Sequence, residues 1–204
     1  MIFDRSNLKT EVAYSDDRTR RYLLRKEWDA KKQRATVLMT NASVADVVGL
    51  DFTTLYILNN TSKLDFGGID IVNLSPLITT KLKPKDDAEA FEDETNISQI
   101  LQSVERSDVV IIAWGKLGEN NRIVRLAQER ILERMKPFAD KLHIISNGRG
   151  MNGFHPLAPQ IRFEWVLEKF AIPEKKKVAA EVKTEVKSAK RTIASATGVV
   201  TTEC

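Results

Sequence analysis

Cysteine and histidine are nearly absent: Cys204 is the only cysteine, and His143 and His155 are the only histidines. An internal disulfide is therefore excluded, and a Cys/His zinc site has too few donors. No metal or cofactor is expected. No apolar run approaches the roughly 20 residues of a bilayer-crossing helix, so no membrane partner is expected either. The opening residues, Met1–Ser6, lack the apolar stretch of a secretory signal. With the lone cysteine, this predicts a cytoplasmic protein. Gly148, Gly150 and Gly153 are clustered, but no Gly-Lys-Ser/Thr follows them and dinucleotide-fingerprint spacing is missing. A Gly-x-Ser-x-Gly nucleophile elbow is missing as well.

What is present suits a globular core: 204 residues, 42% hydrophobic and 29% charged. The net charge of +4 is uneven, because residues 174–204 hold seven Lys/Arg against four Glu. That stretch has no aromatic residue and little to bury, so it is expected to be a basic, disordered tail. Residues 1–173 are expected to form a single α/β domain. Within them, Arg18–Arg34 carries eight Lys/Arg and two acids. Such a run is either a solvated surface or a patch that meets phosphate.

The chain reads as alternating strands and helices. Met1–Asp17 is an irregular lead-in, and Arg20–Trp28 is strand-like. At hairpin distance comes an apolar strand, Ala35–Thr40, so the two are expected to pair antiparallel. A helix begins near Asp51, with Asp51 as its cap, and ends at Asn59–Ser62. Ile69–Leu74 is a second buried strand. Glu94–Glu105 has the spacing of an amphipathic helix. Asp108–Gly115 holds a continuous β-branched run, as in a parallel strand covered on both faces. Ile123–Met135 is a helix, Lys141–Ser146 a short strand and Arg162–Phe170 a short terminal helix. The expected fold class is a three-layer α/β/α arrangement. Its sheet is mostly parallel, with four central strands and an antiparallel N-terminal strand.

Parallel α/β sheets bind ligands at the carboxyl ends of their strands. Four such ends carry polar or aromatic residues: Asn41-Ala42-Ser43, Asn73, Trp114-Gly115 and His155-Pro156-Leu157. Each has an ordinary alternative, as a turn residue, a buried amide tying loops together or a core aromatic. Together they define one edge.

These residues, with Arg21-Tyr22-Leu23-Leu24, Trp28-Asp29, Val44-Ala45-Asp46 and Asp51 with Thr53, resemble a bacterial and phage family known as domain of unknown function 1643. The resemblance covers roughly residues 20–158. Ala42 stands where that pattern leads one to expect proline, and so does Phe52. More distantly, the order of motifs is similar to the uracil-DNA glycosylase superfamily. That resemblance implies a uracil-DNA-glycosylase-like fold. It also implies that Asn41 positions a hydrolytic water, Asn73 reads a base edge and His155 stabilises charge on the departing base. Phe52 is the candidate for stacking; Ser43, Trp114, Gly115 and Pro156 complete the ligand-binding set. Asp46 and Asp51 are the nearest carboxylates for general-base assistance, and both are equally suited to cap a helix. Nucleic acid or a nucleotide is the implied partner. The implied activity is hydrolysis of an N-glycosidic bond; the alternative is a non-catalytic module that binds nucleic acid or a nucleotide through the same pocket.

Overall fold

Alternation of apolar strands with amphipathic helices produces one mixed sheet with helices on both faces. In this computed structural model the described residues are 1–3, 5–79, 83, 85 and 87–173. The basic tail expected at 174–204 lies outside them. The strands are β1 (Lys9–Tyr14), β2 (Arg21–Glu27), β3 (Arg34–Ala42), β4 (Gly68–Ile78), β5 (Val109–Ile112), β6 (Leu142–Ser146) and β7 (Val166–Lys169). The α-helices are α1 (Phe52–Lys63), α2 (Glu94–Arg106), α3 (Leu117–Asn120) and α4 (Arg122–Arg134). The seven strands lie in the order β1-β2-β4-β3-β5-β6-β7. The central four, β4-β3-β5-β6, are mutually parallel. The remaining strands, β1, β2 and β7, run antiparallel to their neighbours.

Several expectations are corrected. The lead-in Met1–Asp17 contains β1, an edge strand. Strands β2 and β3 do not pair with each other, because β4 lies between them. The cause is local. Gly67 sits in the mouth of the loop joining β2 to β3, where its carbonyl accepts the N–H groups of Trp28 and Asp29, both at 2.9 Å. Its own N–H donates to Gln33 O at 2.8 Å, and a Cβ there would lie 1.9 Å from Asp29 O. Only glycine fits, and β4 starts from that point between the other two strands. Helix α1 runs past Asn59–Ser62 rather than ending there. Asn60 Nδ2 donates to Tyr56 O and Arg162 O, both at 2.8 Å, and Thr61 Oγ1 donates to Ile57 O at 2.7 Å, so the polar run is absorbed in the helix. Arg162–Phe170 is no helix: Val166–Lys169 is β7, paired with β6.

Two cores flank the sheet. On one face Leu38, Val72, Leu74, Val110 and Ile112 meet Ile97, Ile100 and Val104 of α2 and Val124, Ile131 and Leu132 of α4. On the other, Val37, Met39, Ile69, Ile71 and Ile111 meet Ile57 of α1 and Ile161 and Trp165 of the segment before β7. Each fully buried aliphatic side chain contributes about 1.5–3 kcal/mol. The strand order reverses at β3: β4 lies on one side of it and β5 on the other. The crevice at such a reversal is where open α/β sheets take ligands.

Candidate functional site

Side chains alternate between the faces of a strand, so parity assigns each residue to one core or the other. Val37 and Met39 face α1, and Asn41 follows in phase. Ile69 and Ile71 do the same, which carries Asn73 and Ser75 to that face. Register places Met39 beside Asn73 and Asn41 beside Ser75. The carboxyl-terminal halves of β3 and β4 therefore present a polar row, Asn41, Asn73 and Ser75, on the face covered by α1.

Asn73 is fully buried, and neither atom of its side-chain amide has a protein partner among the described residues. The backbone around it is held instead, because Asn96 Nδ2 donates to Asn73 O at 2.8 Å and to Leu74 O at 3.2 Å. Ser75 Oγ and Ser43 Oγ are likewise buried without partners. Asn41 is half-buried. Its Nδ2 donates to Thr79 O at 3.2 Å and Ala42 O at 3.3 Å, which fixes Oδ1 as the acceptor of the amide. Ala42 is buried, and its carbonyl takes the N–H of Thr79 at 3.3 Å.

The third and fourth strand ends meet through Gly115. Thr40 Oγ1 donates to Trp114 O at 3.1 Å, which ties the end of β3 to the loop after β5. Gly115 has φ +66°, and a Cβ there would stand 3.0 Å from His155 Cβ. His155 Nδ1 accepts the N–H of Leu157 at 3.2 Å, so the neutral ring carries its proton on Nε2. Burial pushes the pKa of His155 below the ordinary 6.5, with Asp51 pulling weakly the other way. The imidazole is therefore neutral at pH 7. Pro156, the next residue, is buried.

Asp51 is the N-cap of α1, and its Oδ1 accepts Thr54 N–H at 2.7 Å. Its negative charge opposes the effect of burial on both His155 and Arg21. Asp46 is not part of the group. It is exposed and folded back on its own loop, accepting Val48 N–H at 2.8 Å and Gly49 N–H at 2.6 Å. Those bonds hold its carboxylate below the usual range and reduce its basicity. The ring of Trp114 packs on the α2 and α4 face, away from the amides; its backbone alone reaches the edge. Phe52 stands 71% exposed at the rim, stacked on Tyr56 at 6.5 Å between centroids.

Arg21 is the residue that sequence reasoning missed as a site member. A register break opposite Ala13 and Tyr14 leaves Tyr22 as an extra residue in β2, a β-bulge. Tyr22 then turns towards Asp93 at the start of α2, while Arg21 joins Leu24 on the α1 face. There Arg21 is fully buried, and Nη1 donates to Ser43 O at 3.2 Å and Ala45 O at 2.6 Å. Its Nε and Nη2 have no partner among the described residues. The signal was the charge run itself, since most of its neighbours are matched. Arg20 pairs with Asp93, Arg25 with Asp70 and Glu11, Lys32 with Asp65, and Arg34 with Glu27 and Asp70. Four of the eight cations in Arg18–Arg34 are thus paired with carboxylates. Asn147–Gly153 closes on itself, with Asn147 Oδ1 accepting the N–H groups of Arg149 and Met151.

Among the described residues no cluster of three or more His, Cys, Asp or Glu is placed to hold a metal, and no helix is long and apolar enough to cross a membrane.

The arrangement is a mixed α/β sheet with a row of polar side chains at the carboxyl edge of its parallel strands, several of them buried without a protein partner. Residues 21–157 match the family described as protein of unknown function DUF1643, and the chain belongs to that family. No curated protein and no solved structure matches it.

Proposed function

We propose that this protein recognises a nucleobase at this polar edge and hydrolyses its N-glycosidic bond, in the manner of a uracil-DNA glycosylase. The observation that carries this reading is Asn73: a fully buried amide with a free donor and a free acceptor on one side chain. Leaving both atoms unpaired costs about 1–3 kcal/mol each. A base edge, which presents a donor beside an acceptor, satisfies both at once. The neutral Nε2–H of His155 suits the second requirement. As water adds to C1′ and the C1′–N bond breaks, the electron pair leaves on the base, and a fixed donor there acts most strongly in the transition state. The departing base takes its proton from solvent. Asn41 Oδ1 accepts from the attacking water and orients it.

A second reading, base binding without hydrolysis, is favoured by the carboxylates. Asp46 is engaged in its own turn, and Asp51 spends one oxygen on the helix cap. General-base assistance then rests on the other Asp51 oxygen alone.

The test is release of free base from nucleosides, nucleoside phosphates and oligonucleotides carrying uracil, modified pyrimidines and mismatches. Wild type should release base from at least one class, and Asn41→Ala and His155→Ala should each abolish release. Binding without release selects the second reading. Neither binding nor release defeats both.

A further inference from the structure

Of the eight cations in Arg18–Arg34, Arg21 is the one whose guanidinium is fully buried yet has two nitrogens without a protein partner. Burying an unpaired guanidinium is costly unless an anion joins it. The surroundings complete such a seat. The loop that Arg21 Nη1 holds at Ser43 O and Ala45 O runs directly into Asp51 and the N-terminal turn of α1, a helix of 12 residues. A helix N-terminus presents backbone N–H groups and a positive dipole end. Ser43 Oγ and Thr54 Oγ1 are two further buried hydroxyls without partners. Arg21, Ser43 and Thr54 therefore supply unsatisfied donors, beside a helix start, at the edge that also carries Asn73.

We infer that Arg21 and the first turn of α1 form a phosphate seat, and that the ligand of this polar edge is a free nucleoside phosphate rather than a polymer. This rests on the base-recognition reading above for its nucleoside half. The preference for a terminal phosphate follows from enclosure. Arg21 has no exposed surface, and its Nη1 holds the loop at Ser43 and Ala45 over it. A phosphodiester would need two chain exits through that cover, whereas a monoester needs one. The outer side of the cover is apolar, with Val44, Val47, Val48 and Leu50 all exposed. Nucleic-acid backbones are met by exposed Lys and Arg instead. If hydrolysis follows, the products are a sugar phosphate and a free base, with water supplying the new C1′ oxygen. Asp51 opposes a bound dianion by charge.

The full chain is titrated with uridine, uridine 5′-monophosphate, the other nucleoside monophosphates and inorganic phosphate. Thermal unfolding and calorimetry provide the readouts. At a hundredfold excess over Kd, a monophosphate should raise Tm by roughly 5–10 °C, well above its nucleoside. Arg21→Gln should abolish that difference. Asp51→Asn keeps a good helix cap and removes the opposing charge, so it should enlarge the difference; it also serves if Arg21→Gln fails to fold. The phosphate seat is overturned if nucleoside and monophosphate act alike in wild type, or if Asp51→Asn leaves their difference unchanged. If inorganic phosphate alone does as much as any monophosphate, through Arg21, the base reading fails while the seat stands.

Discussion

Gly115 and His155 approach so closely that a single added carbon would fill the gap, with a Cβ on Gly115 standing 3.0 Å from His155 Cβ. The positive φ of Gly115, +66°, is a second reason for glycine. Gly115→Ala therefore meets strain and contact together. It should lower stability by about 1–3 kcal/mol and displace the imidazole. Thermal unfolding reads the first effect, and a changed NMR titration of His155 reads the second. An unchanged titration would show that the contact does not position the ring.

The pH dependence of stability should carry the mark of His155. Its folded pKa lies below the unfolded 6.5 because burial disfavours the imidazolium. The unfolded chain therefore binds more protons in the window just below pH 6.5. The stabilisation is complete above that pH and is lost as pH falls through the folded value. His155→Gln should flatten this part of the profile; urea unfolding between pH 5 and 7.5 checks it.

Asn73→Leu separates stability from function. It removes two buried polar atoms that have no partner and replaces them with an apolar side chain of similar volume. The variant should be as stable as wild type or more so, by about 1–3 kcal/mol, and should lose base binding. A destabilised variant with intact binding would contradict the role given to this amide.

Asp51→Ala removes the bond to Thr54 N–H and should cost about 1 kcal/mol, whereas Asp51→Asn should cost close to nothing. Chemical denaturation of the pair measures the cap directly.

At the opposite end of β4, Asp70 is fully buried between Arg25, bonded through two nitrogens at 2.8 Å each, and Arg34 at 3.3 Å. Arg25→Met leaves that carboxylate with one partner and should cost about 3–5 kcal/mol. Ligand binding by the folded fraction should not change, because this network lies at the amino edge of the parallel strands. A drop in affinity at full folding would link the two ends of the sheet.

The parallel strands were legible because their apolar runs are continuous: Val109–Ile112 can only be covered on both faces. Helices α2 and α4 were legible by their apolar spacing, and the Asp51 cap by its place before Thr53 and Thr54. The neighbour of β3 was not legible. A short loop between two strands suggests a hairpin, and only Gly67, more than thirty residues later in the chain, opens that loop for β4. The polar half of α1 misled because Asn60 and Thr61 are held by carbonyls, one of them on Arg162. For β7, four apolar residues in five positions fit a helix turn as well as a strand, and pairing with β6 decided the outcome. Asn41 does lie at the end of β3, but Asn73 lies within β4, which runs on to Ile78, and His155 lies in the segment beyond β6 rather than at its end. Arg21 was not legible, because in an uninterrupted strand it would share the face of Leu23.

The bulge at Tyr22 gives that last point a wider meaning. Deleting one residue from β2 at this place could preserve every letter of chemistry nearby and still send Arg21 to the wrong side of the sheet. Relatives of this chain should therefore be sorted by counting residues between Arg21 and Leu24, not only by asking whether an arginine is present. Two proteins alike in composition there, but differing by one in that count, would share a fold and not a ligand.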